Sequence, residues 1–423
     1  MTEVAPLAVE KTSSSNSSLW YWASGGAILL VAVSFILVGQ SKSRNWRERQ
    51  VREFSRRCRA LRVQQDWIAL ADLSKQWERL EPSNATPILF QAEAAQAQSD
   101  FLGTADLLAR IPEKNAKRIP AQIERTALLF GPVNRPLEAV AACHGILAQE
   151  PRSFAPRQRL IYFYALTLQR AEMLREIEES LEYHSEPLEA YVYLLLADDL
   201  TFQDGFDVNN RWLIGNPDQE TFLVARTIHM WKNLSQELSK TNDTKERLNL
   251  ALQLLTEYLD RYPRNLSVLT FFCDLALLDG DTDRMAELLA RVSPDCNDSR
   301  FWRFRGWLLA AKDDYSQAAL AYRKSLQLFP LSWITQHELA DVLRRQRAFT
   351  EVQTFQSRSL LGKALRQELL QIPNARVVSN ELLARILTYA RDSGAQRVAE
   401  TLQHRLANFT NEPNSSGNHG SNH

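Results

Sequence analysis

The chain has 423 residues, with 50 lysines and arginines balanced by 50 aspartates and glutamates, 14 glycines and 16 prolines. It is long enough to bury a sizeable core, and its composition excludes collagenous, mucin-like and wholly disordered classes. The zero net charge hides an asymmetry, because residues 1–62 carry ten basic and four acidic side chains, net +6, and the remainder is net −6.

Residues 1–18, with the run TSSSNSS, read as a disordered tail. From Leu19 to Gly39 there are 21 residues without a charge, with Trp20, Tyr21 and Trp22 at one end and Trp46 beyond the other. That pattern predicts a transmembrane helix with interfacial aromatic anchors. The leader lacks the basic region of a signal peptide, so the span is expected to persist in the mature chain. Residues 40–62 form a basic juxtamembrane segment in which Lys42, Arg44, Arg47 and Arg49 are expected to contact anionic membrane lipids. The same bias predicts a single-pass protein with its large domain in the cytoplasm. Because the basic run is confined there and no stacking platform accompanies it, no nucleic-acid partner is expected.

Beyond residue 62 the chain falls into amphipathic segments of about a dozen residues separated by Pro, Gly or Asn/Asp breaks, which predicts an all-α fold. The clearest unit is Ser299 to Ser332. Trp302, Gly306 and Leu309 share a face of one helix, Lys312-Asp313-Asp314 makes a turn, Ala318, Tyr322 and Ser325 line a second helix, and Pro330 ends it. This spacing resembles the 34-residue tetratricopeptide repeat. Weaker matches put Ala127, Ala139, Cys143 and Pro151, and then Ala251, Leu255, Tyr258 and Pro263, at corresponding positions. Aligning Pro82 with Pro330 sets Cys58 and the bulkier Leu70 at the two close-contact positions, which predicts a looser hairpin.

The resemblance implies a right-handed superhelical α-solenoid of helix hairpins, here with one transmembrane helix in addition. Residues 63–200 are expected to form a first array and 201–220 a loop or boundary. Residues 221–409 then form a second array with its cap, and 410–423 a polar disordered tail.

No HExxH, phosphate-binding glycine loop or GxSxG is present, the four cysteines have no CxxC spacing, and His419 and His423 lack companion ligands. No enzyme activity, cofactor or metal is therefore expected. The resemblance implies a groove that takes a protein or peptide ligand, with Arg303 and Arg305 on the groove-lining helix as the contact residues. The function expected is a membrane-tethered interaction scaffold. The alternative is a subunit, catalytic or not, of a membrane-associated enzyme complex.

Overall fold

The computed structural model describes residues 45–237 and 241–411, and all regular structure among them is α-helical. Two compact units divide at Arg118/Ile119. The first contains α1 (45–64), α2 (Trp67–Leu80), α3 (Ala85–Ala97) and α4 (Phe101–Ala109). Cys58 and Leu70 are both fully buried in its core with Trp77 and Phe90, so the first hairpin closes; the small thiol side chain makes room for the larger leucine.

The second unit begins with α5 (Arg118–Phe130), α6 (Pro136–Gln149), α7 (Phe154–Leu166) and α8 (Arg170–Glu182). It continues through α9 (Glu189–Leu196), α10 (Gly205–Leu213), α11 (Glu220–Ser235) and α12 (Asn242–Arg261). Hairpins then follow as α13 (Leu266–Asp279) with α14 (Thr282–Ala290), α15 (Ser299–Ala311) with α16 (Tyr315–Leu328), and α17 (Trp333–Arg345) with α18 (Phe349–Leu369). The last pair is α19 (Asn380–Ser393) and α20 (Gln396–Asn411).

One turn recurs. A residue with left-handed backbone precedes the N-cap of the second helix at Gln65, Ser99, Asn134, Leu168, Gly280, Asp313, Arg347 and Gly394. Ser99 lies 34 positions after Gln65 and Leu168 lies 34 after Asn134; Arg347 likewise lies 34 after Asp313. The following aspartate often caps the new helix, as Asp66, Asp100, Asp281 and Asp314 each accept a backbone N–H bond. The repeat is therefore carried by turn geometry even where its side-chain pattern has decayed. The described helices form an all-α helical-hairpin solenoid.

Gly306 and Ala318 occupy the close contacts that their spacing suggests. Ala318 is fully buried, and a Cβ on Gly306 would come within 2.8 Å of the Tyr322 ring. Between Leu168 and Gly280 the rhythm lapses. Residues 201–220 hold α10, and Gly205 at its start lies against the His229 ring of α11, where a Cβ would meet ring atoms at 2.5 Å. All eight residues of α9 are buried, as expected for a helix apolar on nearly every side. Its leucines and tyrosines share one core with Leu365 and Leu369 of α18 and Ile386 and Tyr389 of α19. The C-terminal helices thus pack back on α8 and α9. Arg405 bonds Glu186 at 2.9 Å, Arg397 meets Glu178 at 3.1 Å, Arg376 meets Glu189 at 3.3 Å, and Arg366 pairs with Asp199.

The membrane part of the sequence reading is corrected. Among the described residues no helix is long and apolar enough to cross a membrane, and the apolar run Leu19–Gly39 lies outside them. The same holds for Lys42 and Arg44; Arg47 and Arg49 are exposed on α1, where no adjoining span is described. The transmembrane helix, the tether, the lipid contact and the single-pass topology consequently drop out of the account. The tails 1–18 and 412–423 also lie outside the described residues.

Candidate binding groove

The first helices of successive hairpins, α11, α13, α15 and α17, pack side by side in the second unit. On α13 the residues Thr270, Asp274 and Leu278 recur every four positions and share one face, and Leu278 is 76% exposed. Arg303 on α15, Lys232 on α11 and Glu338 on α17 belong to the same neighbourhood.

A cavity of about 50 Å³ opens at one end of this face, lined by Arg170, Asp198, Lys232, Thr270, Asp274 and Arg300 with apolar walls from Met173, Ile228 and Phe271. Part of its charge forms a closed set. Arg170 reaches Asp198 at 2.7 Å and Asp298 at 3.3 Å, and Arg300 reaches the second Asp298 oxygen at 2.6 Å. Ser332 donates to the other Asp198 oxygen at 2.7 Å, and Arg170 also bonds the Ala197 carbonyl at 3.1 Å. Burial pushes the Asp298 carboxyl up, but Arg300 and Arg170 outweigh it and hold the group well below the usual carboxylate range. These are two buried cations against two carboxylates, each hydrogen-bonded.

The second set is open. Arg303, only 7% exposed, pairs through one terminal nitrogen with Asp274 at 3.0 Å and lies over the Phe304 ring. Its Nε is buried and has no protein partner; the same is true of Glu338 Oε2 and Thr270 Oγ1. Burial pushes Glu338 up to about 7, with Arg303 opposing and Asp274 reinforcing the rise. Burial raises Asp274 as well, against the pull of Arg303, Lys232 and Arg300. Tyr322, whose ring packs on Gly306, is buried, and burial followed by the nearby Glu338 pushes its hydroxyl well above the usual phenol range.

Of the two arginines singled out from sequence, Arg303 enters this face and Arg305 does not. Two residues on, Arg305 is turned about 200° around the helix and lies over Trp302. The sequence reading missed Asp274 and Glu338. Asp274 carried a signal, being the lone charge within the apolar stretch from Leu266 to Leu278. Among the described residues no group of three or more His, Cys, Asp or Glu side chains could hold a metal ion. Cys143 and Cys273 are buried, and burial pushes both thiols up to about 12, away from nucleophilic chemistry.

No protein-family model matches the chain, and no curated protein matches it. Among solved structures it is similar to PilF of Pseudomonas aeruginosa, at 16% identity over 53% of this chain and 93% of that one, with a TM-score of 0.29. A tetratricopeptide repeat protein of Parabacteroides merdae matches at 12% identity over 61% and 98%, TM-score 0.29. Yeast Tom70 matches at 12% over 86% and 77%, TM-score 0.27. Likeness at this level adds nothing to what the helices and turns establish by themselves.

Proposed function

We propose that the chain is a non-catalytic protein-interaction scaffold whose second unit binds a segment of a partner protein along α11, α13, α15 and α17. The observation that carries this reading is the row of buried polar atoms without protein partners on three successive helices: Thr270 Oγ1, Arg303 Nε and Glu338 Oε2. An unfilled buried donor or acceptor costs about 1–3 kcal/mol, so this face carries polar atoms that the chain itself does not pair. A polypeptide supplies donors and acceptors at regular spacing, and Leu278 and Phe271 offer apolar contact beside them. In this reading Arg303 is the recognition arginine, and Arg305, over Trp302, lies off the groove face.

The test is a photo-crosslinking amino acid placed at Leu278 in the groove and, separately, at Leu320, which is 59% exposed on α16. Adducts to one defined partner segment are expected from position 278 and not from 320. Equal labelling from both positions, or none from 278, would refute the groove.

A further inference from the structure

A second, wider cleft of about 1050 Å³ lies in the same unit, and none of Thr270, Asp274, Leu278 and Arg303 lines it. One side of α8, from Arg170 to Glu178, forms one wall; the residues leading into α13 and the segment 290–299 between α14 and α15 form the other. Its charged side chains are not equivalent. Arg170 and Asp298 are closed into the buried set described above, and Glu178 is held by Arg397 at 3.1 Å. That leaves Arg175, Arg264 and Arg291 against Asp295. Arg175 and Arg264 are exposed and make no ion pair or hydrogen bond, although α8 itself carries five glutamates. Arg291 gives one nitrogen to the Leu259 carbonyl at 3.3 Å and meets no carboxylate. Beyond residue 62 acids outnumber bases, net −6, yet three guanidinium groups from three separate stretches line one cleft without an acid to pair them. Leu174, Leu266, Val292 and Leu328 supply apolar lining beside them.

We propose that this cleft binds an acidic, leucine-bearing segment of a partner protein, a site separate from the groove above. Side-chain carboxylates of the segment take Arg175, Arg264 and Arg291, whose planar N–H donors match a carboxylate. No internal pair has to break for them to do so. The apolar lining selects a peptide over a bare inorganic anion, which would leave those leucines uncovered. An extended chain with acidic and apolar residues in alternation presents carboxylates on one side and apolar side chains on the other, and so meets both kinds of lining.

The experiment follows dye-labelled, capped Glu-Leu-Glu-Leu-Glu binding to the full chain by fluorescence anisotropy at low ionic strength. Its glutamine and lysine counterparts are measured alongside, with inorganic tripolyphosphate as a competitor. The glutamate peptide is expected to bind about tenfold or more tightly than the glutamine one, the scale of a charge-assisted hydrogen bond, and the preference should shrink as salt is added. Arg175→Glu and Arg264→Glu replace exposed side chains without partners, so both variants should fold, and each should remove most of the preference. Arg247→Glu, at an exposed and unpaired arginine of α12, should leave it intact. Absence of binding, equal or tighter binding of the glutamine or lysine peptide, or a preference that survives both cleft variants overturns the site. Equal loss in Arg247→Glu reduces the preference to general charge attraction and overturns it too. Displacement by tripolyphosphate at a lower concentration than by unlabelled peptide overturns the acidic segment in favour of a bare anion. None of these outcomes alters the crosslinks expected from position 278, so the groove stands or falls separately.

Discussion

Gly306→Ala sets two effects of known size against each other. Alanine in place of a helical glycine gains about 0.5–1 kcal/mol of helix propensity. At Gly306 the new methyl group would lie 2.8–2.9 Å from three atoms of the Tyr322 ring, closer than packed carbons approach. Tyr322 is only 2% exposed and shares a core with Ala318, Leu339 and Val342, so the ring has no free direction in which to retreat. Overpacking of this kind costs about 1–3 kcal/mol. The steric term wins, and the variant should be less stable by roughly 1–2 kcal/mol, read as a lower urea midpoint at unchanged slope. Gly145→Ala supplies the comparison, because Gly145 is exposed in α6 and a Cβ there meets nothing within 4 Å. It should gain about 0.5–1 kcal/mol. If Gly306→Ala raises the midpoint as Gly145→Ala does, the close hairpin contact is wrong.

Arg170→Ala should cost about 1.5–3 kcal/mol in urea unfolding, because the partly buried Asp198 and the Ala197 carbonyl lose their cationic donor while Asp298 keeps Arg300; a loss below about 1 kcal/mol would contradict the closed network. His229 is fully buried and burial holds it down to about 4, so the unfolded chain takes up its proton first as pH falls. Its contribution is complete above about pH 6.5 and is lost between there and about 4, a loss of about 3 kcal/mol at about 1.4 kcal/mol per pH unit. Glu338, raised to about 7, acts in the opposite sense, adding stability as pH falls from 7 toward its ordinary range. Glu338→Gln should therefore lose stability more steeply than the wild type between pH 7 and 4.5; parallel profiles would show that the Glu338 carboxyl is not raised in the folded chain.

Helix hairpins were legible in the sequence because their signals are local. Apolar periodicity, the small residues Gly306 and Ala318, and terminators such as Pro330 act within one or two turns of their own positions. Among the recurring left-handed turns, the one at Asp313 was legible from the Lys312-Asp313-Asp314 break. At Leu168 and Arg347 a side chain with no preference for the left-handed region adopts the same backbone, held there by the packing of the hairpin. Arg303 could be named from its helix, but its meaning could not. Asp274 lies 29 positions before it in sequence, and Glu338 comes from the following hairpin. Which faces of successive hairpins meet depends on the small rotation added at each repeat. The contact of Arg405 with Glu186, 219 positions apart, depends on many such rotations together with the burial of α9. Local sequence determined the helices and most of their ends. Only the tertiary packing decided which charges were closed into hydrogen-bonded sets and which were left facing the groove, because desolvation and pairing are properties of neighbours brought together by the fold.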